Sequence, residues 1–142
     1  MEEIKKNIGE FSFDHVGIAV KSIEESLVFY EAMGLKSTHF EEVKSEGVKV
    51  AMLELDNNSR LELLEPIDGT GPVQKFLDKR GPGIHHICLR VDDIVQVLDN
   101  LKQAGVRLIN DEPKKGAHNM LVAFVHPKST DGVLLEISQK NK

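Results

Sequence analysis

The sequence predicts an α+β fold built from two pseudo-symmetric βαβββ modules. Residues 14–20 read as a strand and lead into a helical pattern that ends at Gly34, and residues 85–91 do the same before Gly105. An offset of 71 residues relates the two copies throughout this part of the chain. We expect the duplicated units to come together around a pseudo-twofold axis and to form a cupped mixed sheet around a shared cleft.

The first module covers about residues 11–66 and has the order strand, helix and three strands. Residues 11–20 alternate between a face of small residues and an apolar face, which indicates a half-buried strand. Ser22 with Glu25 three residues later is a pattern that begins a helix, and Gly34 is the usual kind of residue to end one. Extended runs bounded by turn residues predict strands over residues 35–42, 48–55 and 60–66. Helical spacing predicts a buried stripe of Ile23, Leu27, Tyr30 and Met33.

A linker over residues 67–83 joins the modules and contains a short helix at about residues 72–79. The second module covers about residues 84–139, and we assign all 142 residues to one domain. The segment at residues 111–119 is polar and contains glycine, as expected of a mobile loop or lid. The remaining elements are a helix over residues 93–104 and strands over residues 106–109, 120–126 and 133–138. The expected buried stripe of this helix is Ile94, Val97, Leu98 and Leu101.

The composition is that of an ordinary globular protein, with 40% apolar residues for a core. A net charge of −5 argues against a nucleic-acid partner, because phosphate binding needs a dense basic face. A membrane partner is not expected either, since no apolar run approaches the roughly 20 residues of a membrane span. The one cysteine, Cys88, cannot form an internal disulfide and reads as a small buried hydrophobe. These features predict a cytoplasmic protein.

Two histidines and two glutamates recur at matching positions of the modules. His15 and His86 lie on the first strands, whereas Glu62 and Glu136 lie in apolar runs of the last strands, where the offset is 74 residues. A buried carboxylate is costly unless it is paired, protonated or bound to a metal. Four nitrogen and oxygen ligands suit Co²⁺, Ni²⁺, Mn²⁺ or Zn²⁺ and leave two octahedral positions open. The alternative is a set of core histidines and solvated glutamates, but the recurrence of all four favours a metal-binding cleft.

The other histidines are expected to have structural roles. His85 adjoins His86 with opposite strand parity, so we expect it to pack or to hydrogen-bond behind the metal site. His39 reads as a solvated residue. His118 falls in the expected loop, and His126 ends a strand.

Longer motifs carry a resemblance to known proteins. The chain resembles the vicinal-oxygen-chelate superfamily, which includes glyoxalase, extradiol dioxygenases and bleomycin-resistance proteins, and it is more closely similar to the methylmalonyl-CoA epimerase family. The more specific signals are Glu-Pro-Lys-Lys-Gly-Ala-His in the expected loop and the ending His-Pro-Lys-Ser followed by Gly-Val-Leu-Leu-Glu. The resemblance runs over residues 13–139 and is carried by residues 14–20, 61–66, 85–88, 111–118 and 126–136.

The resemblance implies a divalent metal, Co²⁺ ahead of Ni²⁺, Mn²⁺ or Zn²⁺, with His15, His86 and Glu136 as ligands. Some family members carry glutamine and others glutamate at the position of Glu62, which is therefore expected to act as a ligand, as a base or as both. One departure concerns Val50, which stands where some epimerases have a glutamate proposed as a proton-transfer base. The resemblance also implies a homodimer.

The implied reaction is epimerisation of (R)- and (S)-methylmalonyl-CoA by proton transfer at the carbon alpha to the thioester, through a metal-stabilised enolate. Inversion requires a proton removed from one face and another delivered to the opposite face, and Glu62 and Glu136 are the candidate acid-base groups. The acyl-CoA substrate is polyanionic, so cations should lie near the cleft. The candidates are Lys114, Lys115 and Lys128.

Three other functions compete with this interpretation. A glyoxalase I-type lactoylglutathione lyase, acting on a thiol hemithioacetal, would use the same metal-assisted proton shift. An extradiol-type dioxygenase is disfavoured, because Glu62 would fill a coordination position that oxygen chemistry needs free. A metal-free module that binds a small ligand or drug is disfavoured by the four polar ligand candidates.

Overall fold

The computed structural model describes residues 9–141, and these form eight β-strands and three α-helices. The helices are α1 (Ile23–Ala32), α2 (Pro72–Arg80) and α3 (Ile94–Gln103). The strands are β1 (Ser12–Ala19), β2 (Ser37–Val43), β3 (Val48–Glu54), β4 (Arg60–Pro66), β5 (Gly83–Arg90), β6 (Lys114–Lys115), β7 (Met120–Val125) and β8 (Leu135–Lys140). No helix among the described residues is long and apolar enough to cross a membrane.

The described chain divides into two compact units, residues 15–86 and residues 9–14 together with 87–141. In residues 15–86 the strand order is β2-β3-β4-β1, followed by the start of β5. β1 and β4 are parallel, while β2, β3 and β4 are successively antiparallel. The other unit repeats this plan, because its order is β5-β8-β7-β6, with β5 and β8 parallel and the remaining pairs antiparallel. The predicted α+β class, the mixed strand pairing and the repeated βαβββ plan are confirmed.

The helix of the first module packs on its sheet as its sequence pattern predicts, with one exception. Ser22 caps α1 by accepting a hydrogen bond from the backbone N–H of Glu25 at 3.2 Å. Ile23 is buried, whereas Met33 is 63% exposed, so its assignment to the buried stripe was wrong. Met33 is the C-cap residue and lies beyond the last full turn, where the helix ends. The core of this unit consists of Val20, Ile23, Ala51, Leu53 and Leu63, with Leu27 and Tyr30 packed against it.

The helix of the second module has the predicted buried stripe. Asp93 caps α3 through a hydrogen bond from the backbone N–H of Gln96 at 3.0 Å. Leu101 is only partly buried but packs against the core. That core consists of Val91, Ile94, Val97, Leu98, Ala123, Val125 and Ile137.

One predicted strand of the second module was wrong. Residues 106–109 do not form a strand, since only Leu108 makes an isolated bridge to Val125. The Oδ1 atom of Asn110 instead accepts the hydrogen bond of the Phe124 N–H at 2.9 Å, so a side chain replaces a regular strand partner. The expected mobile loop contains β6, which pairs with β7 and fastens this segment to the sheet.

Candidate metal centre

His15 and His86 meet on one face of residues 15–86. Their Nε2 atoms lie 3.0 Å apart, and the two rings are nearly perpendicular. Both side chains are almost fully buried, at 4% and 6% exposure. β1 brings His15 to this position, and the first half of β5, which is hydrogen-bonded to β1, brings His86.

Gly17 supplies the space that the His86 ring occupies. A Cβ atom at residue 17 would lie 2.3 Å from Cε1, 2.6 Å from Nδ1 and 2.8 Å from Nε2 of His86. No real side chain tolerates contacts this short, so the ring fits only against a glycine. The sequence signal was a glycine in the middle of a strand, which marks a close approach of another group, but the sequence interpretation gave it no role.

Glu62 lies behind His15. Its Oε2 atom is 3.2 Å from Nδ1 of His15, the ring nitrogen that does not contact His86. The same Oε2 accepts a hydrogen bond from Nε of Arg60 at 2.9 Å. Strand register explains the cluster, because His15 pairs with Arg60 and Gly17 pairs with Glu62 on the same face of β1 and β4. The buried carboxylate is therefore compensated by a guanidinium and an imidazole.

His85 lies behind His86 in a corresponding way. The Nδ1 atoms of His85 and His86 are 2.9 Å apart, and the two rings are nearly perpendicular. The expectation that His85 hydrogen-bonds behind the site is confirmed. His15 thus has a carboxylate on its Nδ1 atom, whereas His86 has an imidazole on the same atom.

The arrangement of nitrogen atoms fits a divalent metal ion. When Nδ1 of each ring donates its proton to the partner behind it, both Nε2 atoms carry lone pairs. Two lone pairs 3.0 Å apart repel each other unless a cation, a proton or a metal ion, is shared between them. Two nitrogen ligands, each about 2.1 Å from an ion and about 90° apart, are separated by about 3.0 Å. The observed spacing is therefore that of adjacent ligands in an octahedral site.

Glu136 belongs to the other unit, where it is 8% exposed on β8. It stands in register with Cys88 on β5 and with Phe124 on β7. The Cys88 thiol is buried and donates to the Ser138 hydroxyl at 3.2 Å, which agrees with a structural role for the cysteine. A carboxylate this far from bulk water must be paired, protonated or bound to a metal, so Glu136 remains a candidate ligand.

An ion pair that the sequence analysis missed lies in the same unit as Glu136. Asp14 is 1% exposed, and its Oδ1 atom accepts a hydrogen bond from Nη1 of Arg90 at 2.6 Å. The available signal was a charged residue at each of two positions inside apolar strands, since a buried acid needs a partner. This pair joins β1 to β5 one residue before His15.

The three candidate lysines lie on the surface of the second module. Lys114 is half-buried in β6, whereas Lys115 and Lys128 are exposed. The backbone N–H of Lys128 donates to Nδ1 of His126 at 3.0 Å. Loss of hydration, followed by the positive charges of Arg107 and Lys128, lowers the pKa of His126 below its ordinary value. Arg107 is a further cation near His126 that the sequence analysis did not single out.

The chain is similar to known proteins over most of its length. The model of the Glyoxalase/Bleomycin resistance protein/Dioxygenase superfamily matches residues 14–124. The ethylmalonyl-CoA/methylmalonyl-CoA epimerase of Cereibacter sphaeroides is 40% identical over 129 residues, which are 89% of this chain and 96% of that protein. The solved structure of a hypothetical protein from Bacillus halodurans C-125 has a TM-score of 0.89 and 46% identity, with 93% of this chain and 96% of that chain covered. A variant of the Streptomyces coelicolor methylmalonyl-CoA epimerase, in complex with 2-nitronate-propionyl-CoA, has a TM-score of 0.88 and 35% identity, with 91% and 94% covered.

Proposed function

Because the chain belongs to the Glyoxalase/Bleomycin resistance protein/Dioxygenase superfamily, and within it to the methylmalonyl-CoA epimerase family, we propose that it interconverts (R)- and (S)-methylmalonyl-CoA with a divalent metal. The observation that carries the proposal is the buried pair of His15 and His86, whose Nε2 atoms have the spacing of adjacent metal ligands. A solved epimerase of the same fold is in complex with methylmalonyl-CoA, which supports an acyl-CoA thioester as substrate.

The proposed ligands are His15, His86 and Glu136. Glu62 is also a candidate, but its Oε2 atom contacts Nδ1 of His15 and Nε of Arg60, which supports a role in orienting His15 rather than a direct bond to the ion. A carboxylate on the far nitrogen fixes the tautomer of a ligating histidine and raises its basicity. Nitrogen and carboxylate ligands suit Co²⁺, which we propose as the ion, and they also suit Ni²⁺, Mn²⁺ and Zn²⁺.

The metal, when bound, supplies a Lewis acid that polarises the thioester carbonyl and stabilises negative charge on its oxygen. The chain itself must accept the α-proton on one face of the carbon and donate a proton on the other. We propose Glu62 and Glu136 for these two steps, since the two modules present them from equivalent strands. Val50 is 2% exposed on β3, in register with Leu64, so the corresponding position of this strand offers no acid-base group.

The CoA part of the substrate carries phosphates that need cationic partners. Lys114, Lys115 and Lys128 are proposed to contact the phosphates of CoA, because an acidic protein must concentrate its cations where a polyanion binds. Arg107 supplies a second positive charge next to His126, the residue that Lys128 contacts. We further propose a cytoplasmic homodimer.

A lactoylglutathione lyase is the weaker alternative. The probable lactoylglutathione lyase of Vibrio parahaemolyticus is 28% identical over 130 residues, which is well below the identity to the epimerases. Both reactions move a proton on a carbon next to a carbonyl. The two functions are therefore distinguished by the thiol that the substrate carries, which is CoA or glutathione.

NMR spectroscopy in deuterated water tests the proposal directly. Protein reconstituted with Co²⁺ or Zn²⁺ is incubated with (S)-methylmalonyl-CoA, and a parallel sample contains methylglyoxal and glutathione. We expect loss of the α-proton signal of methylmalonyl-CoA, appearance of the (R) epimer, and no lactoylglutathione. Turnover of the hemithioacetal alone would make the protein a lyase, and turnover of neither substrate would overturn the proposed function.

A further inference from the structure

The partner behind His86 is unusual for its position on the strand. Neighbouring residues of a strand normally point to opposite faces of the sheet. The Nδ1 atom of His85 nevertheless lies 2.9 Å from Nδ1 of His86, and the ring centroids are 5.1 Å apart. This distance is that of a hydrogen bond, so one of the two nitrogens carries a proton and the other accepts it.

Helix α2 holds the ring of His85 in this position. The ring of Phe76 contacts that of His85 edge to face, with centroids 5.3 Å apart. The guanidinium carbon of Arg80 in turn lies 5.7 Å from the centroid of Phe76. His85 is half-buried, whereas His86 is almost fully buried. The contact between His85 and His86 is therefore braced by packing from a separate element.

The position of the proton in this hydrogen bond determines whether Nε2 of His86 carries a lone pair that can bind a metal. A neutral imidazole protonated at Nδ1 presents a lone pair at Nε2, and one protonated at Nε2 does not. Nε2 is the atom of His86 that faces His15. When Nδ1 of His85 acts as the acceptor, His86 is fixed in the tautomer that binds a metal.

We propose that His85 is a positioning residue that fixes the metal-binding tautomer and ring orientation of His86. It does for His86 what Glu62 does for His15, with an imidazole in place of a carboxylate. The inference rests on the proposed metal function of the site. Its test uses protein without metal and metal affinity, so it is separable from the test of epimerase activity.

The first measurement is the tautomer of His86 in the metal-free wild-type protein. Long-range ¹H–¹⁵N correlation spectra distinguish protonated from unprotonated ring nitrogens, and His86→Ala identifies the signals. We expect a protonated Nδ1 and an unprotonated Nε2 for His86. A proton on Nε2 of His86 in the wild-type protein would refute the proposal, whatever the protein catalyses.

The second measurement compares two variants of His85. His85→Asn keeps an acceptor oxygen at about the distance of Nδ1 from the backbone, whereas His85→Phe keeps a ring against Phe76 but has no acceptor. Loss of such a partner typically weakens metal binding by about 10- to 100-fold. We expect this loss of Co²⁺ affinity, with a changed visible spectrum of bound Co²⁺, for His85→Phe, and near wild-type values for His85→Asn.

The matched control is His39→Asn. His39 makes an ion pair with Glu41 at 2.9 Å on β2, which is separated from β1 by β3 and β4. The His39→Asn substitution should leave the Co²⁺ affinity unchanged. Equal affinity of His85→Phe and the wild type, or an equal loss in His85→Asn and His85→Phe, would overturn the proposal. If His85→Phe does not fold, the tautomer of His86 in the wild-type protein and the Co²⁺ affinity of His85→Asn still test the proposal.

Discussion

Gly17→Ala is the substitution for which the structure gives the sharpest prediction. The new Cβ atom would lie 2.3 Å from Cε1 of His86, whereas carbon atoms in contact are about 3.5 Å apart. The His86 ring must therefore move by about 1.2 Å, the difference between these two distances. The φ angle of Gly17 is not in the left-handed region, so alanine adds no backbone strain and the effect is steric alone.

A displacement of this size takes Nε2 of His86 out of the ligand position. A metal ligand must lie within about 0.2 Å of its proper distance, so we expect a loss of Co²⁺ affinity at least as large as the about 10- to 100-fold typical of a lost supporting contact. Overpacking at a buried position should also lower the free energy of unfolding of the metal-free protein by about 1–3 kcal/mol. Calorimetric titration with Co²⁺ and denaturant unfolding measure the two effects separately.

Gly83→Ala is the matched control, because it adds the same methyl group at the start of β5. A Cβ atom there meets nothing within 4 Å, and the φ angle of Gly83 is also outside the left-handed region. This variant should bind Co²⁺ like the wild type and be equally or slightly more stable. If Gly17→Ala bound Co²⁺ as tightly as Gly83→Ala, the close fit between β1 and the His86 ring would not matter for the site, and the reasoning would fail.

Other changes separate direct ligands from supporting groups. Glu136→Gln and His86→Ala should each strip the metal and abolish α-proton exchange, and full metal content by elemental analysis in either variant would contradict that ligand assignment. Glu62→Gln should weaken metal binding by only about 10-fold, measured by titration, and a loss as large as that of Glu136→Gln would make Glu62 a ligand. Chelation of the metal should stop exchange and added Co²⁺ should restore it, whereas exchange that persists without metal would refute the mechanism. The lowered pKa of His126 means that the unfolded chain binds more protons, so stability falls as pH drops below about 6.5, and His126→Gln should reduce this dependence in denaturant unfolding.

Features that repeat could be predicted from the sequence, and features that depend on one contact could not. The offset between His15 and His86 predicted that they are equivalent, and the cap pattern at Ser22 predicted the start of α1. The roles of Gly17 and Arg60 follow from strand register, which places each of them beside a specific residue of a neighbouring strand. No local pattern encodes that register. The pairing next to residues 106–109 likewise includes a side chain, since Oδ1 of Asn110 accepts the hydrogen bond of the Phe124 N–H, and a propensity argument does not include such a contact.

The point at which the two modules differ bears on which carboxylate holds the metal. In an exact repeat, the group behind Nδ1 of His86 would be a carboxylate, as Glu62 is for His15. That nitrogen contacts His85 instead. The groups behind the two histidines therefore differ, and under the proposed function Glu136 is a direct ligand whereas Glu62 orients His15. On that assignment, metal affinity should fall further in Glu136→Gln than in Glu62→Gln.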